Sequence, residues 1–277
     1  MTVNWTETTS SKQCETGKEG GVKIARYEID GGSHYGLLEG EALRRISGSP
    51  FDSLEPTGRM DDLKAVRLLA PVERPRIFGV GLNYVLHIEE SGAKTPAIPL
   101  LFMKPWTAVI GPDEPTIYPR EGQNVHFEAE LAVVIGRAGR RIAAERALEH
   151  VLGYTCANDV SERLIQKGEM DQGALLVGKG FDTFCPLGPV IATDLDHSNL
   201  SIGAKVNGVV RQSSSTSDLL FPVPQLIAYL SMAMTLLPGD VILTGTPSGV
   251  GPIVPGDVVD IFVEGVGTLS NTVAAEG

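Results

Sequence analysis

Two glutamates stand one residue apart inside an otherwise apolar run, NVHFEAELAVVIG at residues 124–136. The run has the composition of a β-strand, and strand side chains alternate between two faces. That alternation sets Phe127, Ala129, Leu131, Val133 and Ile135 on one face and His126, Glu128 and Glu130 on the other. The acids lead directly into Ala132 and Val134, which read as core. Two carboxylates so close repel, and taking each from water is costly unless something neutralises it. A fold built on this strand must leave its end wet or hold a cation there.

The surrounding chain is rich in short strands. VKIARYEIDGGSHYGLLEG reads as two strands joined at Asp30-Gly31-Gly32, and EALRRIS reads as a short helix. Prolines punctuate the chain between Leu69 and Arg74, which places a small N-terminal domain at residues 1–72 and a second domain at 73–277. Beyond that boundary, RIFGVG, PLLFMKP, FEAELAVVIG, GYTCANDV, PVIATDL, LSIGAKVNGVVRQ, GDVILTGT and GDVVDIFVEGVGTLS all read as strands, with Asn207-Gly208 as a hairpin turn. Two PGD turns, at Pro238 and Pro255, each lead into a Val-rich strand. Helices are fewer: the amphipathic IAAERALEHVLG, and PVPQLIAYLSMAMTLL with Leu226, Ile227, Leu230 and Met234 on one face. The class is α+β and β-dominated, without the strict strand–helix alternation of a doubly wound sheet.

A net charge of -11 over 277 residues gives the chain as a whole no electrostatic footprint for nucleic acid or anionic membrane. No apolar run approaches the roughly 20 residues that span a bilayer, and the polar leader MTVNWTETTSSKQCETGKEGG holds no signal-peptide apolar region. Cys14, Cys156 and Cys185 are odd in number and widely spaced, which fits a reducing cytoplasm better than a disulfide framework. GVGLNY lacks the third glycine of a dinucleotide fingerprint, TGTPSGVG is not a Walker A loop, and no G-x-S-x-G elbow occurs.

Four further features carry candidate chemistry, each with a plainer alternative. Asp159, at the end of GYTCANDV, caps the following helix-like segment or completes a three-carboxylate site with Glu128 and Glu130. Such an oxygen-rich set suits Mg²⁺ or Mn²⁺, with Ca²⁺ as a further hard cation. His87 and Glu90, three apart in NYVLHIEESG, form an oriented general base or an ordinary exposed helix pair. Lys179, between two glycines in VGKGFD, is a surface turn or a cation aimed at a carboxylate or enolate. His126 is a fourth, since it shares a face with the two acids.

Seven stretches, in this order, resemble the fumarylacetoacetate hydrolase family in its acylpyruvase-like branch: GVGLNYVLHIEES, PLLFMKPWTAVIGP, VHFEAELAVVIG, GYTCANDVSERLIQ, GKGFDTFCPLGP, VNGVVRQSSSTSDLLF and LLPGDVILTGTPSGVGP. They cover about Arg76 to Val273. The resemblance implies a mixed β-sandwich roll as the catalytic domain, a small N-terminal α/β domain, and a homodimer. It implies that Glu128, Glu130 and Asp159 bind the metal and that His87 and Glu90 activate water. Lys179 and Gln166 would polarise the substrate carbonyl, while Tyr84, Arg163 and Thr246 would contact the substrate. The implied reaction is cleavage of a carbon–carbon bond in a 2,4-diketo acid such as fumarylpyruvate, within aromatic compound catabolism, through a metal-stabilised pyruvate enolate. Decarboxylation or isomerisation of a 2-oxo or 2-hydroxydienoate diacid would use the same metal site. One departure stands out: Leu82 occupies a position that is often arginine in acylpyruvase members, which leaves less positive charge for a substrate carboxylate.

Overall fold

A computed structural model describes residues 21–277; the polar leader up to residue 20, with Cys14, lies outside the described residues. The N-terminal part consists of β1 (Lys23–Ile29), β2 (Gly32–Glu39), β3 (Ala42–Ile46), β4 (Pro56–Asp62) and β5 (Arg67–Leu69). Asp30 and Gly31, at φ 53° and 75°, make the tight β1–β2 turn expected from the sequence. EALRRIS is the strand β3, not a helix. Seven residues cannot sustain a helix without tertiary support, whereas β2 and β4 flank this stretch and give it a ladder on each side. Its arginines also find carboxylates on those neighbours: Arg44 on Glu39 and Arg45 on Asp61.

The strands that follow are β6 (Ile77–Gly81), β7 (Leu100–Lys104), β8 (Val109–Ile110), β9 (Thr116–Tyr118), β10 (Val125–Phe127), β11 (Ala129–Ile135), β12 (Val151–Asn158), β13 (Ser161–Glu162) and β14 (Cys185–Ala192). The last six are β15 (Ser201–Val206), β16 (Val209–Ser215), β17 (Val241–Leu243), β18 (Gly251–Pro252), β19 (Val258–Val263) and β20 (Gly267–Ala275). The largest sheet runs β4-β3-β2-β1-β14-β12-β11-β17-β6-β7. It passes without a break from the N-terminal strands into the rest, because β1 pairs with β14 at Ile24–Ile191. A five-stranded sheet, β16-β15-β19-β20-β9, and a three-stranded one, β13-β10-β18, complete a β-dominated fold.

Both PGD turns are alike in detail. Asp240 N–H donates to Leu237 O and Asp257 N–H to Val254 O, with Gly239 and Gly256 at φ 88° and 98°. A positive φ at the third turn position is what glycine supplies there. Each aspartate side chain also accepts from the N–H three residues earlier, which repeats the chemistry at both sites.

Among the described residues no helix is long and apolar enough to cross a membrane. The α-helices are α1 (Val85–Ser91), α2 (Arg163–Met170), α3 (Val177–Gly180) and α4 (Val223–Ala233). The last buries Leu226, Ile227 and Leu230 as its spacing predicts, and Met234 lies partly buried just past its end. IAAERALEHVLG departs from expectation. Residues Ala144–His150 form 3₁₀ turns, and Val151 and Leu152 already belong to β12. Pairing of Val151 with Ile135 claims the end of the periodic segment and leaves too little for an α-helix.

Every residue of β11 is buried. Ala129, Leu131, Val133 and Ile135 enter one apolar cluster while Ala132 and Val134 enter a second. Glu130, between Ala129 and Leu131 on this strand, is therefore carried into the centre of the molecule.

Candidate active site

The carboxylates converge where three strands end. β10 stops at Phe127 and β11 begins at Ala129, so Glu128 sits in the break. Its N–H donates to the Asn158 side chain at 2.9 Å, while Ala129 N–H donates to Gln212 Oε1 at 2.9 Å. Asp159 follows the last residue of β12. One ligand atom from each of Glu128, Glu130 and Asp159 lies within 4.8 Å of the others. All three residues are buried, at 4%, 1% and 0% exposure. The helix cap that Asp159 was free to supply falls instead to Glu162, whose carboxylate accepts from Ile165 N–H at 2.6 Å.

Three cations face these acids. Lys179 Nζ donates to Glu128 Oε2 at 2.8 Å and to Asp159 Oδ2 at 2.6 Å, and stands 5.0 Å above the Phe102 ring. Lys104 Nζ reaches Asp159 Oδ1 at 2.5 Å and Val160 O at 3.1 Å. Arg163 Nη2 lies 2.6 Å from Glu128 Oε1, a charge contact without hydrogen-bond alignment. Burial opposes ionisation of Glu128, yet Lys179 and Arg163 overcome it and hold that carboxyl well below the usual range. Lys179 shows the reciprocal effect: burial works against its charge, but Asp159 and Glu128 keep it raised. Glu130 goes the other way. Burial first, then the charges of Asp159 and Glu128, push its pKa well up, and among the described residues only the Gly245 N–H, at 2.6 Å, bonds to it.

Lys179 is placed by a close approach of backbones. Gly178 packs so tightly on α2 that an added Cβ would meet Gln166 N at 2.6 Å. The Glu169 carboxylate accepts from Val177 and Gly178 N–H at 2.7 and 2.9 Å and fixes the start of α3. Lys179 is therefore a buried, positioned cation and not a surface turn.

A cavity of about 600 Å³ opens onto the triad and is lined by every residue expected at the site except Tyr84. His87 Nδ1 lies 3.3 Å from Glu90 Oε2, and both Glu90 oxygens accept from Gly249 N–H at 3.1 Å. Gln166 Oε1 accepts from Arg163 Nη1 at 2.8 Å. Thr246 Oγ1 accepts from Gln212 Nε2 at 2.8 Å, which leaves its own O–H to donate elsewhere. Leu82 lines the cavity too, in a left-handed conformation at φ 53°. Tyr84 precedes α1 with 1% exposure and a hydroxyl that has no hydrogen-bond partner among the described residues. Burial, then Glu130 and Asp218, raise the pKa of that hydroxyl.

Sequence reasoning assigns no role to two residues at or beside the site, and to His126 only a face shared with the acids. Lys104 left a faint signal, as a lone lysine in the apolar strand PLLFMKP. Gln212, fully buried, joins the Glu128 break to the Thr246 loop, and nothing local in VVRQSSS announces that. His126 lines the cavity beside Glu128, its Nε2 2.9 Å from Asn124 Oδ1 and its Nδ1 buried without a partner among the described residues. Burial, then the Arg163 charge, lower its pKa to about 4, so the ring is neutral near pH 7.

The residues present fit a hard divalent cation. The donors are all carboxylate oxygens, and Glu130 is a buried acid that no ion pair reaches among the described residues. A cation there offsets the burial and the neighbouring negative charges that push the Glu130 pKa up.

Comparison with known proteins agrees with this architecture. A family model described as fumarylacetoacetate (FAA) hydrolase C-terminal matches residues 76–274, and one described as Rv2993c-like, N-terminal matches residues 22–71. The solved structure of 5-carboxymethyl-2-hydroxymuconate delta-isomerase from Mycobacterium smegmatis is 46% identical with a TM-score of 0.86, over 92% of this chain and 100% of that one. The mitochondrial oxaloacetate tautomerase FAHD2A of Bos taurus is 46% identical over 219 residues, 75% of this chain and 69% of that protein. Maleylpyruvate hydrolase from Sphingobium sp. SYK-6, solved in complex with manganese (II) ion and pyruvate, is 32% identical with a TM-score of 0.77, over 92% of this chain and 100% of that one. With one family model spanning most of its length, the chain belongs to the fumarylacetoacetate hydrolase family.

Proposed function

We propose that the protein is a divalent-metal-dependent isomerase or tautomerase that moves a proton within a 2-oxo or 2-hydroxydienoate diacid. The proton transfer rests on the His87–Glu90 pair on the cavity wall, beside a triad built for a hard cation, and the likeness to an isomerase and a tautomerase favours transfer within the substrate. Glu90 holds Nδ1 of His87 and is itself held by Gly249 N–H, so Nε2 is the nitrogen that exchanges a proton with substrate. When bound, Mg²⁺ or Mn²⁺ would supply Lewis-acid charge that acidifies the carbon beside a 2-oxo group. Lys179 offers an ammonium to the oxygen that gains negative charge, and Arg163 with Thr246 offers donors that orient a carboxylate. His87 takes a proton from one position of the conjugated acid and returns it to another, so no water is consumed and no bond between carbons breaks. The 46% identity to both an isomerase and a tautomerase supports this choice among the chemistries the site allows.

Hydrolysis of an acylpyruvate is the second reading. It is favoured by the same dyad, which is equally able to draw a proton from water, and by the likeness to maleylpyruvate hydrolase. NMR of the purified protein with Mg²⁺ in D₂O separates the two. The proposal expects deuterium incorporation and a shifted double bond, with conversion lost in His87→Ala. Release of pyruvate with a free acid would replace it by the hydrolase reading.

A further inference from the structure

The two oxygens of Asp159 are bonded by two different lysines. Lys179 Nζ, which belongs to a residue lining the cavity, donates to Oδ2 at 2.6 Å and also to Glu128 Oε2 at 2.8 Å. Lys104 Nζ donates to Oδ1 at 2.5 Å and to Val160 O at 3.1 Å. The Lys104 side chain is fully buried, and the residue is not among those lining the cavity. Oδ2 is therefore the oxygen on the side of the cavity and of Glu128, and Oδ1 the one turned to the protein interior.

Lys104 is firmly mounted. It ends β7 in register with Ile77 of β6, and its bond to Val160 O holds the chain one residue past Asp159. One ammonium thus fixes both the side chain and the adjoining backbone of a candidate ligand. Glu130 repeats the pattern with a neutral donor, since Gly245 N–H takes its Oε2 at 2.6 Å and leaves Oε1 uncommitted among the described residues. A carboxylate chelates an ion bidentately only with both oxygens turned to it, and Asp159 and Glu130 can each present one. Mg²⁺ accepts single carboxylate oxygens in a near-ideal octahedron, whereas Ca²⁺ takes about six to eight oxygens and gains from bidentate carboxylates.

We propose that Lys104 is a positioning residue that makes Asp159 a one-oxygen ligand and thereby tunes the carboxylate triad toward Mg²⁺ over Ca²⁺. This deepens the metal-dependent reading and rests on it for the presence of an ion, not for the reaction catalysed. It separates the two buried lysines: Lys179 faces the cavity and the substrate, and Lys104 sets the denticity of a ligand from behind.

The test is ion selectivity in Lys104→Met, which keeps an unbranched apolar stem and loses the donor. Lys179 still pairs with Asp159 in this variant, so the buried carboxylate keeps a cation. Mn²⁺ is titrated into the full chain by calorimetry, and Mg²⁺ and Ca²⁺ compete against it. Removing a buried positive charge strengthens the binding of both ions alike, so the ratio of their affinities isolates the geometry. Wild type is expected to bind Mg²⁺ more tightly than Ca²⁺, and Lys104→Met to shift that ratio about tenfold toward Ca²⁺. An unchanged ratio in a variant that still binds Mn²⁺ overturns the proposal and leaves Lys104 with packing and charge alone. Tighter binding of Ca²⁺ than of Mg²⁺ by wild type overturns it as well, whether or not the variant folds. Failure of the functional reading looks different. Wild type that binds none of the three ions sinks the metal-dependent function together with this inference, while a Lys104-dependent ratio in a protein that isomerises no acid sinks the reaction and leaves the role of Lys104 standing.

Discussion

Gly178→Ala would test how Lys179 is held. The added Cβ would meet the backbone nitrogen, Cα and Cβ of Gln166 at 2.6, 2.8 and 2.9 Å. None of these is the far end of a flexible side chain, so α3 and α2 must part. Relieving the nearest contact to the 3.4 Å at which ordinary packing begins needs about 0.8 Å, the difference between 3.4 and 2.6. Carried to Lys179, that movement would stretch its 2.8 and 2.6 Å bonds to Glu128 and Asp159 to the edge of hydrogen bonding. It would also shift Gln166, the residue clashed against. Overpacking of this kind costs about 1–3 kcal/mol of stability, and a misplacement near 1 Å about 10²-fold in kcat. Gly180→Ala is the internal control, because its nearest contact is Pro105 Cδ at 3.3 Å. The assay is kcat with each variant at saturating Mg²⁺, alongside urea melts. If Gly178→Ala keeps wild-type turnover and stability, or if the two variants behave alike, the close packing of α3 on α2 is not what positions the lysine.

Two further outcomes follow from buried charge. Glu130→Gln removes a carboxyl whose pKa is pushed well up, so the metal-free variant should be at least as stable as wild type at pH 7. Saturating Mn²⁺ should raise the Tm of wild type and leave the variant almost unmoved, because stabilisation by a ligand tracks its affinity for the folded state; a variant that gains as much as wild type would remove Glu130 from the ligand set. In the N-terminal sheet, Asp61 is 5% exposed and accepts from Tyr27 at 2.6 Å and from Arg45 at 2.9 and 3.0 Å. Burial opposes its charge, but these bonds prevail and keep its pKa below the ordinary carboxylate value. A depressed folded pKa contributes stability above the unfolded value of about 3.9 and loses it as pH falls through the folded pKa. Asp61→Asn should therefore cost about 3 kcal/mol at pH 7 and progressively less below pH ~4; urea melts showing a constant difference across that range would contradict the linkage.

The parts of this molecule legible in its sequence are those set by chemistry within a few residues. Asp30-Gly31, Asn207-Gly208 and the PGD turns lie where local φ and proline geometry put them. What eluded a local reading was decided by partners far along the chain. EALRRIS and IAAERALEHVLG have helical spacing, yet flanking strands claim all or part of each. Lys104 is fully buried because Asp159, just past the end of another strand, accepts from it; a lysine's own neighbours cannot announce such a partner. The E-x-E pair shows both sides of this. Alternation along one unbroken strand does place Glu130 with Ala132 and Val134, but Glu128 is aimed by a break in the ladder. That break exists because Asn158 and Gln212 take the N–H groups of Glu128 and Ala129 that a continuous strand would give to its neighbours. Two side chains from two other strands thus turn an ordinary apolar strand into one that can present adjacent carboxylates to the same ion.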